Sequence, residues 1–254
     1  MKHLVTIIGH ARTGSNYLCK LIEESFPDIV SHYELFNKQE CHINLNYKDK
    51  LELHYNTDKL HSVAHETPLE FLDTVINLSD KNIVSHKIFP EHMTLDTAKK
   101  IVDKSKMIFV VKRNFIDVYI SKKRAILMLE NHSNPWINVD TTNLKIDFDK
   151  EEFITQKNIY EEWYRNMTEC LITRGKPYCV LYYDEFHQLG IESQQALIKE
   201  KLETFICDKK DDLTVTYVDS ILKKQDSSLD YKTKINNHSE FMEFICNRGL
   251  SLST

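Results

Sequence analysis

Gly9 and Gly14, in the stretch "IIGHARTGSNYL", have the spacing of a turn that wraps backbone N–H groups around a phosphate. A triphosphate-binding loop with this spacing goes on with Lys and then Ser or Thr, which hold the β- and γ-phosphates and Mg²⁺. Here those two positions are Ser15 and Asn16, and the turn carries Arg12 and Thr13 ahead of its second glycine. Helical spacing follows at Leu18, Leu21 and Ile22, so unpaired N–H groups stand at the positive end of a helix dipole. Ser15 and Asn16 add side-chain donors, and Arg12 adds a forked cation matched to a charged oxygen. The pattern is that of an anion cradle built for something other than a metal-bound triphosphate.

A second constellation is "VKRNFIDVYISKKRA". Arg113 closes a predicted strand, and Ser121 lies eight residues on, about 12 Å along the axis of the next helix. That separation suits a second phosphate better than one shared atom. Asp117 falls near the helix start, where the dipole favours a carboxylate. Lys122, Lys123 and Arg124 either border that phosphate or form a solvated basic face.

These residues must be held by alternating strands and helices. "LVTIIG" is a buried-strand run ending in glycine, "DIVSHYELF" a second strand with a polar end, and "NIVSHKIF" and "KMIFVVKR" two more. "LDTAKKIVDKS" lies between the last two with helical spacing, which makes a βαβ unit and implies a parallel sheet. Helices are expected over about 115–130, 149–174 and 193–206, and "YCVLYYDEF" reads as a final strand. The stretch 38–67 is polar and rich in histidine, and reads as a long excursion or helical insert. No repeat, low-complexity tract or linker divides residues 1–254, so one α/β domain is expected, with ligands at the carboxyl ends of its strands.

Composition narrows the partners. With 33 Lys and Arg against 38 Asp and Glu, the net charge of −5 is not that of a nucleic-acid binder. No run approaches the ~20 apolar residues of a membrane span. The six cysteines form no C-x-x-C pair, so neither a zinc site nor a disulfide framework is indicated. Reduced thiols and an N-terminal run without a charged leader point to a cytoplasmic chain. His42, His54, His61 and His65 have spacings that fit no compact metal site, and no metal is expected.

Taken together, "ARTGSN" and "RNFIDVYIS" resemble the two nucleotide-binding segments of the sulfotransferases that use 3′-phosphoadenosine 5′-phosphosulfate (PAPS). In those enzymes "P-[RK]-[ST]-G-[ST]" binds the 5′-phosphosulfate and "R-[ND]-P-x-D-x-x-x-S" the 3′-phosphate. Ala11 and Phe115 replace the two prolines, which changes loop stiffness more than donor chemistry. Further segments are similar, in the same order, to the bacterial trehalose-sulfotransferase branch: "SHYELFN", "SHKIF", "SKKRAILMLENHSNPW", "EEWY", "GKPYCVLYYDEF" and "KKQDSSLDYKTKINNHSEF". The stretch 38–67 is not covered and is the candidate acceptor-side insert.

The resemblance implies a P-loop-like three-layer fold whose central parallel sheet is flanked by helices. It implies transfer of a sulfuryl group from PAPS to a hydroxyl acceptor, with a carbohydrate as the expected class and PAP as the product. Arg12, Thr13, Gly14, Ser15 and Asn16 would hold the phosphosulfate, and Arg113 and Ser121 the 3′-phosphate. Lys87 is a further phosphosulfate or acceptor contact, and Lys224 a nucleotide contact if the 209–254 tail closes over it. Glu34 matches the branch's acidic position at a strand end and is the chosen general base. His32, His65 and His86 are its rivals, since cytosolic members of the wider family use histidine. Lys87 and His86 should face opposite sides of their strand. Tyr183, Asp184 and Glu185 read as structural. Related enzymes are often dimers, so a homodimer is an expectation. A divergent P-loop kinase or NTPase, or a binding module without turnover, is the alternative.

Overall fold

The computed structural model describes residues 2–130, 144–206, 213–218 and 230–252. In chain order its elements are β1 (His3–Ile8), α1 (Ser15–Ser25), β2 (Ile29–Ser31), α2 (Leu45–Tyr55), α3 (Thr57–Glu66) and α4 (Pro68–Leu78). β3 (Ile83–Ile88), α5 (Leu95–Lys104), β4 (Met107–Lys112), α6 (Phe115–Glu130) and α7 (Lys150–Thr173) follow. The chain ends through β5 (Tyr178–Tyr182), α8 (Tyr183–Gln188), α9 (Ile191–Phe205), a single 3-10 turn at Tyr231–Thr233 and α10 (His238–Asn247).

The strands form one five-stranded sheet in the order β2-β3-β1-β4-β5, parallel throughout. Parallel strands are covered on both faces, which is why β1 and β4 read as nearly continuous apolar runs. Val5 and Ile7 of β1 and Met107, Phe109 and Val111 of β4 face α1, α8 and α9 in one core. On the opposite face α5 packs against β1 and α4 against α5. The chain leaves β1 past β3 to reach β2, whereas β4 leads out to β5. The sheet therefore reverses direction between β1 and β4, the place where open parallel sheets bind ligands.

The described chain falls into two compact units, Met1–Lys112 with Asn166–Ile221, and Arg113–Arg165 with Leu222–Thr254. The first holds the sheet. The second has its own core, in which Phe115, Tyr119, Phe148, Phe153, Phe241 and Phe244 stack edge to face or tilted. The unit boundaries fall directly after β4 and inside α7, so no change of composition marks them and the sequence reads as a single domain.

Two local readings change. "YCVLYYDEF" is strand only to Tyr182 and turns helical at Tyr183; β5 lies at one edge of the sheet and is only partly buried. α4 went unread: Pro68 opens it at the first helical position and Glu70 sits in its first turn. The excursion 38–67 is largely helical, as α2 and α3. Among the described residues, no helix is long and apolar enough to cross a membrane.

Candidate functional site

The cradle follows β1, the middle strand. The Gly9 N–H donates to the Ile88 carbonyl (3.1 Å), and the Thr13 hydroxyl donates to the His10 carbonyl (2.7 Å), so the turn is tied at both ends. Two residues take left-handed backbone, Arg12 at φ 69° and Gly14 at φ 89°. Glycine adopts that conformation freely, but arginine does not, so Arg12 stores local strain of the sort found at ligand clamps. A Cβ on Gly14 would lie 2.0 Å from the Tyr183 ring, so this glycine is needed for close approach as well as for its φ. Tyr183 thus braces the cradle from α8, the structural role read for it. α1 then begins at Ser15 with no side-chain cap, since Gly14 has none to offer. Its first-turn N–H groups are those a helix leaves for an anion.

Lys87 and Glu34 meet beside this turn. Ile7 pairs with Lys87 in the sheet register, and Ile7 faces the α1 side, so Lys87 does too. Its side chain is 1% exposed. The Lys87 ammonium lies 2.8 Å from Glu34 Oε1 and donates to the side-chain oxygen of Asn16, in the first turn of α1. It also sits 5.0 Å from the centre of the Phe89 ring. Glu34 stands just past β2, in a turn closed by Asn37 and His42, whose N–H groups donate to its carbonyl (3.2 and 3.0 Å). Its other oxygen, Oε2, accepts from the Asn37 amide at 2.6 Å and lies 3.5 Å from His92 Nε2 and 3.9 Å from His42 Nδ1.

The electrostatics of this cluster are one-sided. Burial alone would raise the Glu34 carboxyl, yet the donors around it, with Lys87 and His92 foremost, hold it far below the usual carboxylate range. A buried ammonium at a helix N-terminus is repelled by the dipole, so one carboxylate offsets two positive features. Near by, burial pushes the Cys19 thiol up to about 11, which leaves it an inert core group.

The three rival histidines have structural partners. Ser105 Oγ donates to the Ile101 carbonyl (2.9 Å), so Thr6 Oγ1 donates to Ser105 (2.7 Å) and accepts from His86 Nε2 (3.0 Å). His86 is thus a neutral donor on the sheet face away from Lys87. His32 Nδ1 accepts the Asn44 N–H (3.2 Å). Burial lowers both rings to about 3. His65 donates through Nε2 to the Asn37 carbonyl (3.2 Å), and His61 in the same way to Lys38 (2.8 Å). The polar insert therefore anchors the turn that carries Glu34.

Arg12, Thr13, Gly14, Ser15, Asn16, Lys87 and Glu34 gather at the carboxyl ends of β1, β2 and β3, within the first unit. Arg113 and Ser121 belong to the second unit. There the Tyr160 hydroxyl donates to the Arg113 carbonyl (2.7 Å), and Ser121 lies on α6. Lys224 and the segment "NHSNPW" lie outside the described residues. His92 was missed in the sequence. Its signal is the "FPEH" turn directly after β3, since any residue there stands at the ligand-binding edge of the sheet.

The fold and site together define a parallel α/β protein with a left-handed, glycine-bounded turn ahead of its first helix and a buried Lys–Glu pair beside that turn. No protein-family model matches the chain, and no curated protein matches it.

Proposed function

We propose that this protein is a PAPS-dependent sulfotransferase that moves a sulfuryl group to a hydroxyl acceptor, with a carbohydrate as the expected class. The observation that carries the reading is Lys87. It is a buried cation set against the first turn of α1, beside a turn whose Lys and metal-binding hydroxyl positions are Ser15 and Asn16. Such a site favours a compact anion that brings its own negative charge to a preformed positive one.

In the reaction, the bond between sulfur and the 5′-phosphate oxygen breaks as the bond from sulfur to the acceptor oxygen forms. Arg12, Lys87 and the N–H groups ahead of α1 stabilise the charge that grows on the departing phosphate oxygen. Glu34 takes the acceptor's proton. Paired with Lys87 it is a weak base. As Lys87 is drawn toward the leaving oxygen, Glu34 loses its counter-charge and its basicity rises, so the proton moves when the leaving charge develops.

A thermal-shift measurement tests the cofactor. PAP without Mg²⁺ should raise the melting temperature, Arg12→Ala should remove most of that rise, and Glu34→Gln should keep it while losing turnover with labelled sulfate. Stabilisation by ATP with Mg²⁺ and none by PAP would identify a kinase or NTPase instead. PAP binding with no transfer to any acceptor would identify a binding module.

A further inference from the structure

His92 sits on Phe89, with ring centroids 4.8 Å apart, and is 3% exposed. The pair is clipped twice across the Phe89-Pro90-Glu91-His92 turn. The His92 N–H donates to the Phe89 carbonyl (3.1 Å), and the Phe89 N–H donates to His92 Nδ1 (3.2 Å). A backbone N–H can donate only to a bare ring nitrogen, so Nδ1 is unprotonated and the ring proton is on Nε2. That buried N–H has no closer partner among the described residues than Glu34 Oε2, at 3.5 Å. At 3.5 Å the two groups face each other without a closed hydrogen bond, and catalytic contacts often tighten from such a distance when substrate arrives.

We infer that His92 is a positioning residue: a donor of fixed tautomer, clipped by the turn after β3, that keeps Oε2 of Glu34 in place while Lys87 turns from Oε1 toward the anion. It is not a base, because its only lone pair is engaged by the Phe89 N–H. Among the described residues, the charged and titratable groups facing Glu34 include Lys87 from β3, Cys19 from α1, His92 from the turn after β3 and His42 from Glu34's own turn; His65 of α3 bears on that turn through Asn37. When the ammonium moves, two neutral donors remain beside Oε2, the Asn37 amide at 2.6 Å and the fully buried His92 Nε2–H at 3.5 Å.

The inference rests on reading Glu34 as the base, and its test has an arm that needs no activity. Nitrogen NMR of the unliganded full chain should show the His92 ring proton on Nε2 and a bare Nδ1. Carboxyl-carbon NMR should show Glu34 starting to titrate at higher pH in His92→Phe, because one of the donors that hold its carboxyl low is gone. His92→Gln, which restores an N–H donor, should return part of that shift. In a sulfotransferase assay the acid limb of kcat/KM should rise in His92→Phe and fall back in His92→Gln. A merely structural ring would change stability and leave both profiles alone. An Nδ1–H ring, or a Glu34 titration indifferent to His92→Phe, would overturn the inference. If the NMR results hold and no sulfuryl transfer is found, the proposed function fails and the positioning contact stands.

Discussion

Replacing Lys87 by Met keeps the aliphatic stem against Phe89 and removes the ammonium from a carboxylate 2.8 Å away. Both groups are buried, at 1% and 8% exposure, so the remaining Glu34 charge has little water to turn to. Stripping one partner from a buried pair costs ~3–5 kcal/mol. Asn37 still donates to Glu34 Oε2 at 2.6 Å, which places the loss near the lower end, about 3 kcal/mol. In a chain of this size that is a fall in Tm of about 6–12 °C. The double variant Lys87→Met/Glu34→Gln removes both charges and should lie within about 1 kcal/mol of the wild type. The pH dependence has a definite sign. In the wild type Glu34 is held low, so its stabilisation is complete above the ordinary carboxylate range and is lost only as pH falls through it. In Lys87→Met burial dominates and raises Glu34, so the deficit should shrink between pH 8 and pH 5. Urea unfolding of the wild type, Lys87→Met, Glu34→Gln and the double variant at both pH values measures this. Costs that add in the double variant and do not change with pH would refute a coupled pair.

Two further outcomes follow from the fold. Gly14→Ala forces a left-handed alanine with its Cβ 2.0 Å from Tyr183; a loss above ~1–3 kcal/mol is expected, with partial recovery when Tyr183→Ala is added, and full tolerance in urea melts would contradict the brace. His32 and His86 stay neutral to about pH 3, whereas the unfolded chain protonates them below about 6.5. Stability should therefore fall on acidification across that window, at up to about 2.7 kcal/mol per pH unit for the two, and a flat profile from pH 6.5 to 5 would show that they are not buried neutral.

The sheet was legible in the sequence because its strands are apolar on both faces and its βαβ unit has clear helical spacing between two such runs. The cradle was legible from glycine spacing, and period-two alternation alone separates Lys87 from His86. Contacts that depend on which turns meet were hidden. His92 reaches Glu34 only because two loops from neighbouring strands end at the same edge, a relation no local pattern encodes. Tyr183 reads as structural from the sequence, but its approach to Gly14 was silent, because an apolar run does not announce where an edge strand stops and a helix starts. The insert's polarity left an irregular excursion and a helical insert both open, and it hid that Tyr47, Leu51, Leu60 and Ala64 of its two helices are buried.

The histidine pair on α3 has a consequence for how the molecule can be altered. His61 and His65 grip the carbonyls of Lys38 and Asn37, and the Asn37 side chain grips Glu34. The insert is thus not an interchangeable cassette on a finished scaffold, because its second helix forms part of the mounting of the carboxylate. Grafting another segment between Asn37 and Thr67 would retune Glu34 even if every residue of the cradle were kept, so variation in this segment is mechanically linked to the chemistry at its base.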